Sequence, residues 1–280
     1  MAKCPRAAVL PGRGVKEAET LCGRPGVGRE AGMEFSEKAL VLRVGRFREI
    51  DAWVRLFSPV RGVYTAFAFG GLKSRRRFPG CLDSFNHVRF KVRCSERQGY
   101  HCLTEAVLLD APHRLRQEPS RLGMAVNCLK FFEAVQIGPQ GAAEAYRLLR
   151  GLLAALENEM PPSALFPVLF RARLTFIQGM LPVWDHCAAC GAPLGPQGAV
   201  CHVEQGKLFC RQCRDASPGV RQYLGPGALA LMALAVSGQP EAWAACRPDP
   251  AAGREFSRTV DLLVRYHLGL AWEQGGFVRA

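Results

Sequence analysis

The sequence predicts an α+β protein: an N-terminal five-stranded OB-fold barrel followed by an α-helical domain with an inserted four-cysteine zinc ribbon. Three observations support this prediction. Apolar residues alternate with period 2 between Phe35 and Leu109, the period changes to 3.6 after Pro112, and two C-x2-C pairs stand nineteen residues apart. The 280 residues, 49% of them hydrophobic, suffice for two domains with real cores. No apolar run approaches the roughly 18 residues of a membrane span, so no span is expected.

Residues 1–32 are rich in Gly, Pro and Arg and show no usable periodicity. We expect them to form a disordered extension, with Met33 as a candidate translation start. They contain no apolar segment typical of a signal peptide. Although the chain has twelve cysteines, the lack of an export signal and the metal-type cysteine spacing favour a reducing cytoplasm over a secreted disulfide protein.

The predicted barrel domain spans residues 33–111. Its strands are expected at 35–44, 52–58, 62–69, 85–94 and 101–109. The fourth strand has one apolar face and one charged face, and the charged face carries Arg89, Lys91 and Arg93. Several short strands without an intervening long helix are typical of a small closed barrel, and the pattern leaves an SH3-like barrel open beside the OB fold.

The second domain is predicted over residues 112–280. Apolar residues recur there at helical spacing, and Pro and Ser residues mark helix starts. The expected helices are 120–137, 142–157, 163–180, 226–237 and 254–273. The cysteine segment, at about 184–216, falls between the third and fourth of these helices. It is therefore predicted to be an insertion within the helical domain.

The two C-x2-C pairs predict a structural zinc site. The candidate ligands are Cys187, Cys190, Cys210 and Cys213. Four thiolates complete a closed tetrahedron around Zn²⁺ and leave no position for an activated water, so the metal is expected to stabilise the fold and not to catalyse. Two redox-active pairs are the weaker alternative, because neither pair opens a helix after a strand. Cys201 and His202 lie inside the ribbon and are expected to be bystanders.

The net charge of +13 favours a polyanionic partner, and the excess is densest in residues 33–111, which hold fourteen basic and eight acidic residues. The segment 70–80 begins and ends with glycine and is predicted to be a flexible loop that fits a phosphate backbone. Its cations are Lys73, Arg75, Arg76 and Arg77. Together with Arg89, Lys91 and Arg93 they form the predicted DNA-binding surface. A charged loop that is merely solvated is the alternative.

Several aromatic residues of the barrel are candidates for stacking on bases. Tyr64 and Phe47 are favoured, because Tyr64 has a polar tip and Phe47 lies in the basic turn 46–48. The other rings occupy alternating positions that a barrel core also needs, and each is expected in the core. These are Trp53, Phe57, Phe67 and Phe69.

The sequence contains no recognisable catalytic constellation, so the protein is predicted not to be an enzyme. The segment 71–74, Gly-Leu-Lys-Ser, lacks the glycine directly before lysine that a Walker A loop requires, which argues against nucleotide hydrolysis. Two other hypotheses stay open. A zinc-ribbon nuclease would need clustered carboxylates for metal-assisted hydrolysis, and the sequence does not offer them. A structural RNA-associated protein would prefer structured RNA to single-stranded DNA.

Over residues 34–275 the chain resembles the RecO family of bacterial DNA repair proteins. The resemblance rests on Glu37-Lys38-Ala39-Leu40-Val41-Leu42, on Phe57-Ser58-Pro59 to Gly62 leading into Gly70-Gly71 and the basic loop, and on Cys187-Ala188-Ala189-Cys190-Gly191 with Cys210-Arg211-Gln212-Cys213. It implies an OB-fold domain that binds single- and double-stranded DNA without sequence preference. It also implies strand annealing without ATP, and loading of the recombinase RecA at gaps with RecR through contact with single-strand-binding protein.

The resemblance also implies roles for individual residues. The four cysteines correspond to metal ligands, and the four cations of the basic loop correspond to DNA contacts. Some family members lack the cysteines, which fits a supporting role for the metal. The helical domain's apolar surface is the candidate contact for the acidic tail of single-strand-binding protein, with Arg121 and Lys130 as charge partners. The implied location is the bacterial cytoplasm, in association with the nucleoid.

Overall fold

The computed structural model describes residues 33–94, 99–179, 183–215 and 218–280. The predicted extension, residues 1–32, lies outside these ranges. The first five strands are β1 Glu34–Arg46, β2 Ala52–Ser58, β3 Gly62–Ala68, β4 His87–Cys94 and β5 His101–Asp110. They form a closed barrel in the order β1-β2-β3-β5-β4. The predicted five-stranded barrel is therefore confirmed.

β1 closes the barrel because its thirteen residues are long enough to pair with two neighbours. It runs antiparallel to β2 along one half and to β4 along the other. The remaining seam joins β3 to β5 in a short parallel pairing, Ala66 with His101 and Phe67 with Cys102. This strand order, with its one parallel pair, is that of an OB-like barrel.

Alternation along each strand separates an inner face of the barrel from an outer one. Along β1, Ala39 and Val41 are fully buried inside the barrel, whereas Leu40 and Leu42 point outward. The interior includes Ala39, Val41, Ala52, Val54, Leu56, Ala66, Ala68, Val88, Phe90, Val92 and Leu103. Bulky side chains on the outer face of β2 and β3 therefore do not belong to the barrel core.

Seven α-helices lie within the described part of the second domain. They are α1 Arg114–Gln117, α2 Pro119–Val135, α3 Ala142–Glu157, α4 Phe166–Ile177, α5 Pro226–Ser237, α6 Pro240–Ala245 and α7 Pro250–Leu268. Four of them begin with proline, whose missing N–H costs no hydrogen bond in a first turn. α7 also has a side-chain cap, since the Asp249 carboxylate accepts hydrogen bonds from the N–H groups of Ala251 and Ala252 at 2.8 and 3.1 Å.

The cysteine segment folds as a small ribbon between α4 and α5. Its strands are β6 Ala199–His202, β7 Lys207–Phe209 and β8 Arg221–Leu224, in the order β7-β6-β8. Gly198 and Gly206 have φ of 75° and 57°, a left-handed conformation that favours glycine at these turns. β8 lies beyond residue 216, the predicted end of the ribbon.

Two predicted helices have the wrong bounds. The helix predicted over 254–273 ends at Leu268, where Gly269 takes the left-handed conformation with φ of 60°. The chain then forms a hairpin of β9 Leu270–Glu273 and β10 Gly276–Arg279, which was not predicted. The helix predicted over 163–180 is shorter at both ends. Residues 163–165 form a turn instead, because the N–H of Ser163 donates to the carbonyl of Ala244 at 2.9 Å.

The barrel and the helices share one hydrophobic core. Leu40, Leu42 and Phe57, all on the outer face of the barrel, belong to the same buried cluster as the helices. The ring centroid of Phe57 lies 4.7 Å from that of Phe132 and 5.7 Å from that of Tyr146. The helices therefore cover one end of the outer β2–β3 face and leave the other end open. Within the described ranges, no helix combines the length and apolarity needed to cross a membrane.

Candidate nucleic-acid interface and metal centre

Two loops of the barrel are joined at one end. The first connects β1 to β2 and the second connects β3 to β4. The Asp51 carboxylate accepts a hydrogen bond from the N–H of Gly70 at 2.7 Å, and the N–H of Leu72 donates to the carbonyl of Ile50 at 3.0 Å. Gly70 has φ of 64°, so a side chain there would be strained. The glycine that opens the predicted basic loop thus fixes the start of the loop against its neighbour.

The basic loop, which the sequence predicted to be flexible, is held by hydrogen bonds. Gly71–Lys73 form a 3₁₀ turn. The N–H of Arg77 donates to the hydroxyl of Ser74 at 3.1 Å, and the carbonyl of Arg77 accepts from the N–H of Ala106 at 2.8 Å. The loop therefore extends the seam between β3 and β5, and its cations have defined positions.

The four cations of the loop do not share one environment. Lys73, Arg75 and Arg76 are exposed, and their side chains make no hydrogen bond or ion pair with any described residue. The Arg77 guanidinium instead donates to the carbonyl of Phe69 and lies 5.1 Å from the ring centroid of Phe78. We call Lys73, Arg75 and Arg76 the cationic rim. Arg77 serves the loop's own structure.

The three cations of β4 lie on the outer face of the barrel, separated from β3 by β5. Arg89, Lys91 and Arg93 are all exposed. The Nζ of Lys91 lies 3.4 Å from the carboxylate of Glu34 on β1, and Glu105 of β5 is its neighbour on the other side. The predicted row exists, but its central charge is partly neutralised by neighbouring carboxylates.

Of the two favoured stacking candidates, Phe47 is partly exposed on the outside of the barrel, but Tyr64 does not lie on the outside. Tyr64 points into the barrel, and its hydroxyl donates to the Glu37 carboxylate at 2.5 Å. Burial, with the Glu37 hydrogen bond as a second cause, raises the pKa of Tyr64 far above its usual value. Trp53 and Phe67, which were expected in the core, are opposite each other on the outer face. One sequence signal could have predicted the inward face of these strands: the small residues Ala52, Val54 and Ala66 alternate with the bulky aromatic residues.

The four predicted ligands converge on one point. The Sγ atoms of Cys187, Cys190, Cys210 and Cys213 all lie within 4.8 Å of one another. The sulfurs of Cys190 and Cys210 are 3.8 Å apart, and an ideal tetrahedron with metal–sulfur bonds of about 2.3 Å has edges of about 3.8 Å. The donor set and its spacing therefore fit one tetrahedral metal ion. The bystander prediction holds, since neither Cys201 nor His202 belongs to the cluster and the His202 ring is hydrogen-bonded to the carbonyl of Arg214 at 2.7 Å.

The pKa values of the cysteine thiols also fit a single bound metal ion. Burial acts to raise the pKa of Cys187, but backbone N–H groups of Cys190, Cys210 and Ala189 outweigh it and lower the pKa to about 6. Hydrogen bonds with the sulfurs of Cys210 and Cys190 raise the pKa of Cys213 to about 12. Sulfurs this close resist carrying four negative charges together, and a bound divalent cation removes that repulsion.

Arg121 and Lys130, the predicted charge partners for an acidic tail, both donate hydrogen bonds within the protein. Arg121 is buried, with 2% of its side chain exposed, and donates to the carbonyls of Leu156 and Asn158 at 2.8 and 2.7 Å. Lys130 donates to the carbonyl of Gly275 at 2.5 Å. The prediction is therefore wrong for Arg121, whereas for Lys130, which keeps two further N–H donors, it stays a prediction.

A different surface of the helical domain has the expected character. A groove of about 830 Å³ lies between the turn at 163–165 and α7, with Leu165 and Leu262 among its apolar walls. Arg254, Arg258 and Arg265 of α7 line it. They are exposed, and their side chains make no hydrogen bond or ion pair with any described residue.

The fold and these sites define a class: an OB-like barrel with an accessible cationic edge, joined to a helical domain that carries a four-cysteine cluster. The class agrees with comparisons to known proteins. Residues 33–112 match the family model for the N-terminal part of recombination protein O, and residues 116–274 match the model for its C-terminal part. The chain belongs to the RecO family of DNA repair proteins.

Curated relatives show the same assignment over nearly the whole chain. The DNA repair protein RecO of Solidesulfovibrio magneticus is 68% identical over 249 residues, which cover 89% of this chain and 100% of the relative. RecO proteins of Oleidesulfovibrio alaskensis and Nitratidesulfovibrio vulgaris are 44% and 45% identical over 88% of this chain and 100% of each relative. Family membership supports a role in DNA repair and recombination.

Proposed function

We propose that this chain is a non-enzymatic DNA-binding mediator of recombination in the bacterial cytoplasm, acting at the nucleoid. It binds single- and double-stranded DNA without sequence preference and anneals complementary strands without ATP. With RecR it helps to load RecA at gaps covered by single-strand-binding protein. The cationic rim is the observation that carries the proposal, because its three side chains are exposed and make no contact with a described carboxylate.

Annealing by such a surface needs no nucleotide. Two strands repel because each carries one charge per phosphate, and every cation that meets a phosphate also releases condensed counterions. A surface that neutralises several phosphates on each strand lowers the repulsion between them. Base pairing then supplies the free energy that drives the strands together. The fixed position of the rim, set by the bond from Gly70 to Asp51, reduces the ordering cost of binding.

The groove on α7 is the proposed contact for the acidic tail of single-strand-binding protein. Arg254, Arg258 and Arg265 offer positive charge, while Leu165 and Leu262 offer apolar walls. A peptide that combines carboxylates with apolar side chains complements both features. This contact would bring the barrel to strands that are already covered by protein.

We propose that Zn²⁺ is the ion held by Cys187, Cys190, Cys210 and Cys213. Four sulfur ligands at tetrahedral spacing suit zinc, which takes four thiolates in structural sites. The ion braces the ribbon, and through Leu208 and Leu224 the ribbon joins the main core. The metal therefore supports the helical domain and takes no part in DNA chemistry.

An annealing assay with two triple variants tests these proposals together. K73A/R75A/R76A should lose annealing of naked complementary strands, with or without ATP. R254A/R258A/R265A removes the same number of charges and should anneal naked strands normally but fail on strands coated with single-strand-binding protein. Wild-type annealing by the first variant would remove the rim from the interface. Tighter binding of wild-type protein to structured RNA than to single-stranded DNA would favour the RNA-associated alternative.

A further inference from the structure

Four aromatic rings, those of Phe47, Phe67, Phe69 and Tyr100, contact one another outside the barrel, and Trp53 is the cross-strand neighbour of Phe67. The patch lies on the part of the outer β2–β3 face that the helices leave uncovered. We call it the aromatic face, and it consists of Phe47, Trp53, Phe67, Phe69 and Tyr100, all of them partly exposed. Phe67 lies at its centre, with ring centroids 5.3 Å from Phe47, 6.1 Å from Phe69 and 5.7 Å from Tyr100. Single exposed apolar side chains are ordinary, but a contiguous patch marks a site of interaction.

The backbone holds these rings in fixed positions. Trp53 and Phe67 are paired across β2 and β3. The indole of Trp53 lies against Gly45 of β1 so closely that an added Cβ there would fall 2.3 Å from the indole. A glycine at position 45 is therefore required for the indole to lie on the strand. Rings positioned this way lose little conformational freedom when a ligand covers them.

The aromatic face adjoins the basic loop that carries the cationic rim. Phe69 is the last residue before the basic loop, and its carbonyl accepts the hydrogen bond from the Arg77 guanidinium. On the β1–β2 loop, which is hydrogen-bonded to the start of the basic loop, the guanidinium of Arg48 lies 5.2 Å from the ring centroid of Phe47. Apolar rings and positive charges thus lie beside one another at this end of the barrel. A ligand that matches this pattern has flat apolar groups beside a chain of negative charges.

We propose that the aromatic face binds unpaired bases of single-stranded DNA while the cationic rim holds the phosphates of the same strand. The inference rests on the proposed function and assigns single-strand preference to particular residues. Stacking on aromatic side chains tolerates any base, because every base has a π face. Bases within a duplex are stacked and paired with one another and cannot reach the rings. Duplex DNA therefore meets the rim alone, and single strands meet both surfaces.

A double variant, F67L/F69L, tests the proposal. Leucine keeps apolar cover on the strand but cannot stack on a base. Affinity for an oligothymidylate should fall about tenfold or more at fixed salt, since stacking of one base contributes about 1–3 kcal/mol. Affinity for a duplex should stay as in the wild type. The slope of log K against log salt should also stay unchanged for both ligands. V107A/L109A, which alters exposed apolar residues on the outer face of β5, is the matched control and should change neither affinity.

Two outcomes would overturn the proposal. One is an oligothymidylate affinity of F67L/F69L equal to that of the wild type. The other is self-association that F67L/F69L abolishes while DNA affinity persists, which would assign the aromatic face to a second copy of this chain. Neither outcome affects the rim, which K73A/R75A/R76A tests separately. If F67L/F69L does not fold, tryptophan fluorescence provides a second test. Oligothymidylate should quench the fluorescence of the wild-type protein more than that of the Trp53→Phe variant. Equal quenching in the two proteins would contradict stacking on Trp53.

Discussion

Arg121 shows how one charged side chain can be a structural element. Its guanidinium also donates to the carbonyls of Glu159 and Met160, at 3.2 and 3.3 Å, and pairs with the Glu118 carboxylate. These acceptors lie at and beyond the C-terminal end of α3, where helix carbonyls have no partner within the helix. A buried positive charge there satisfies the carbonyls and the helix dipole together.

Replacing Arg121 with methionine should destabilise the protein severely. The buried carbonyl of Leu156 and three partly buried carbonyls would lose their donor, and we expect a loss of about 3 kcal/mol in the free energy of unfolding. Urea denaturation measures it. Arg147→Met, on an exposed position of α3, is the control and should stay near the wild type. Equal stability of the two variants would show that the carbonyls find other donors.

His87, at the start of β4, should make stability depend on pH. Burial, and secondarily the positive charge of Arg150, lowers the pKa of His87 to about 4, while Asp110 acts in the opposite direction and Lys38 in the same one. A histidine in the unfolded chain titrates near 6.5, so the unfolded state takes up a proton first as the pH falls. Stability should therefore decline between about pH 6.5 and about pH 4.

Substitution of His87 by phenylalanine should flatten this decline, because phenylalanine cannot take up a proton. Urea unfolding at several pH values below neutrality measures the effect. His113→Gln, at an exposed histidine, provides the comparison and should leave the decline in place. A decline that persists unchanged in the phenylalanine variant would assign the pH dependence to other groups.

Alternation along β3 shows which side chains share a face of the strand, but it does not show which face points into the barrel. Tyr64 and Phe67 stand three residues apart and so lie on opposite faces, yet both are aromatic and both fit a core. In the structure, the inward face of β3 carries Ala66 and Ala68, and Tyr64 lies on that same face. Arg121 was misjudged for a related reason, since sequence alone does not reveal that distant carbonyls surround a charge.

Elements with strong local signals were predictable. The fourth strand alternates without exception, and the structure places Val88, Phe90 and Val92 inside the barrel. The end of α7 was harder, because residues 270–273 continue apolar while Gly269 alone ends the helix. The β9–β10 hairpin is stabilised by distant contacts, with the Phe277 ring 4.9 Å from Phe131 of α2. Tertiary packing of this kind leaves no local pattern to read.

The ribbon should depend on its metal. Metal analysis of the native protein should find one zinc ion per chain, and Cys190→Ala should lose it along with part of the thermal stability. DNA affinity of the folded variant should change little, since the barrel carries the proposed interface. Cys246→Ala, outside the cluster, should retain the metal. Native protein without zinc, or a metal-free variant as stable as the wild type, would contradict a bracing role.

One buried hydrophobic cluster joins the barrel, the helices and the ribbon. Leu42 of the barrel, Leu169 of α4 and Leu208 of the ribbon all belong to it. The barrel is thereby oriented on the helices by its own outer face, which determines which part of that face stays open for ligands. Charge follows the same division: the cationic rim lies on the barrel, and the arginine-lined groove lies on α7.

The salt dependence of single-stranded DNA affinity tests most directly whether the rim contacts phosphates. Each phosphate contact on a single strand contributes about 0.7 to the slope of log K against log salt. K73A/R75A/R76A should therefore lower the magnitude of the slope by about 2, while R254A/R258A/R265A, with the same loss of charge, should leave it unchanged. Equal slopes in wild type and K73A/R75A/R76A would show that DNA crosses a different surface of the molecule.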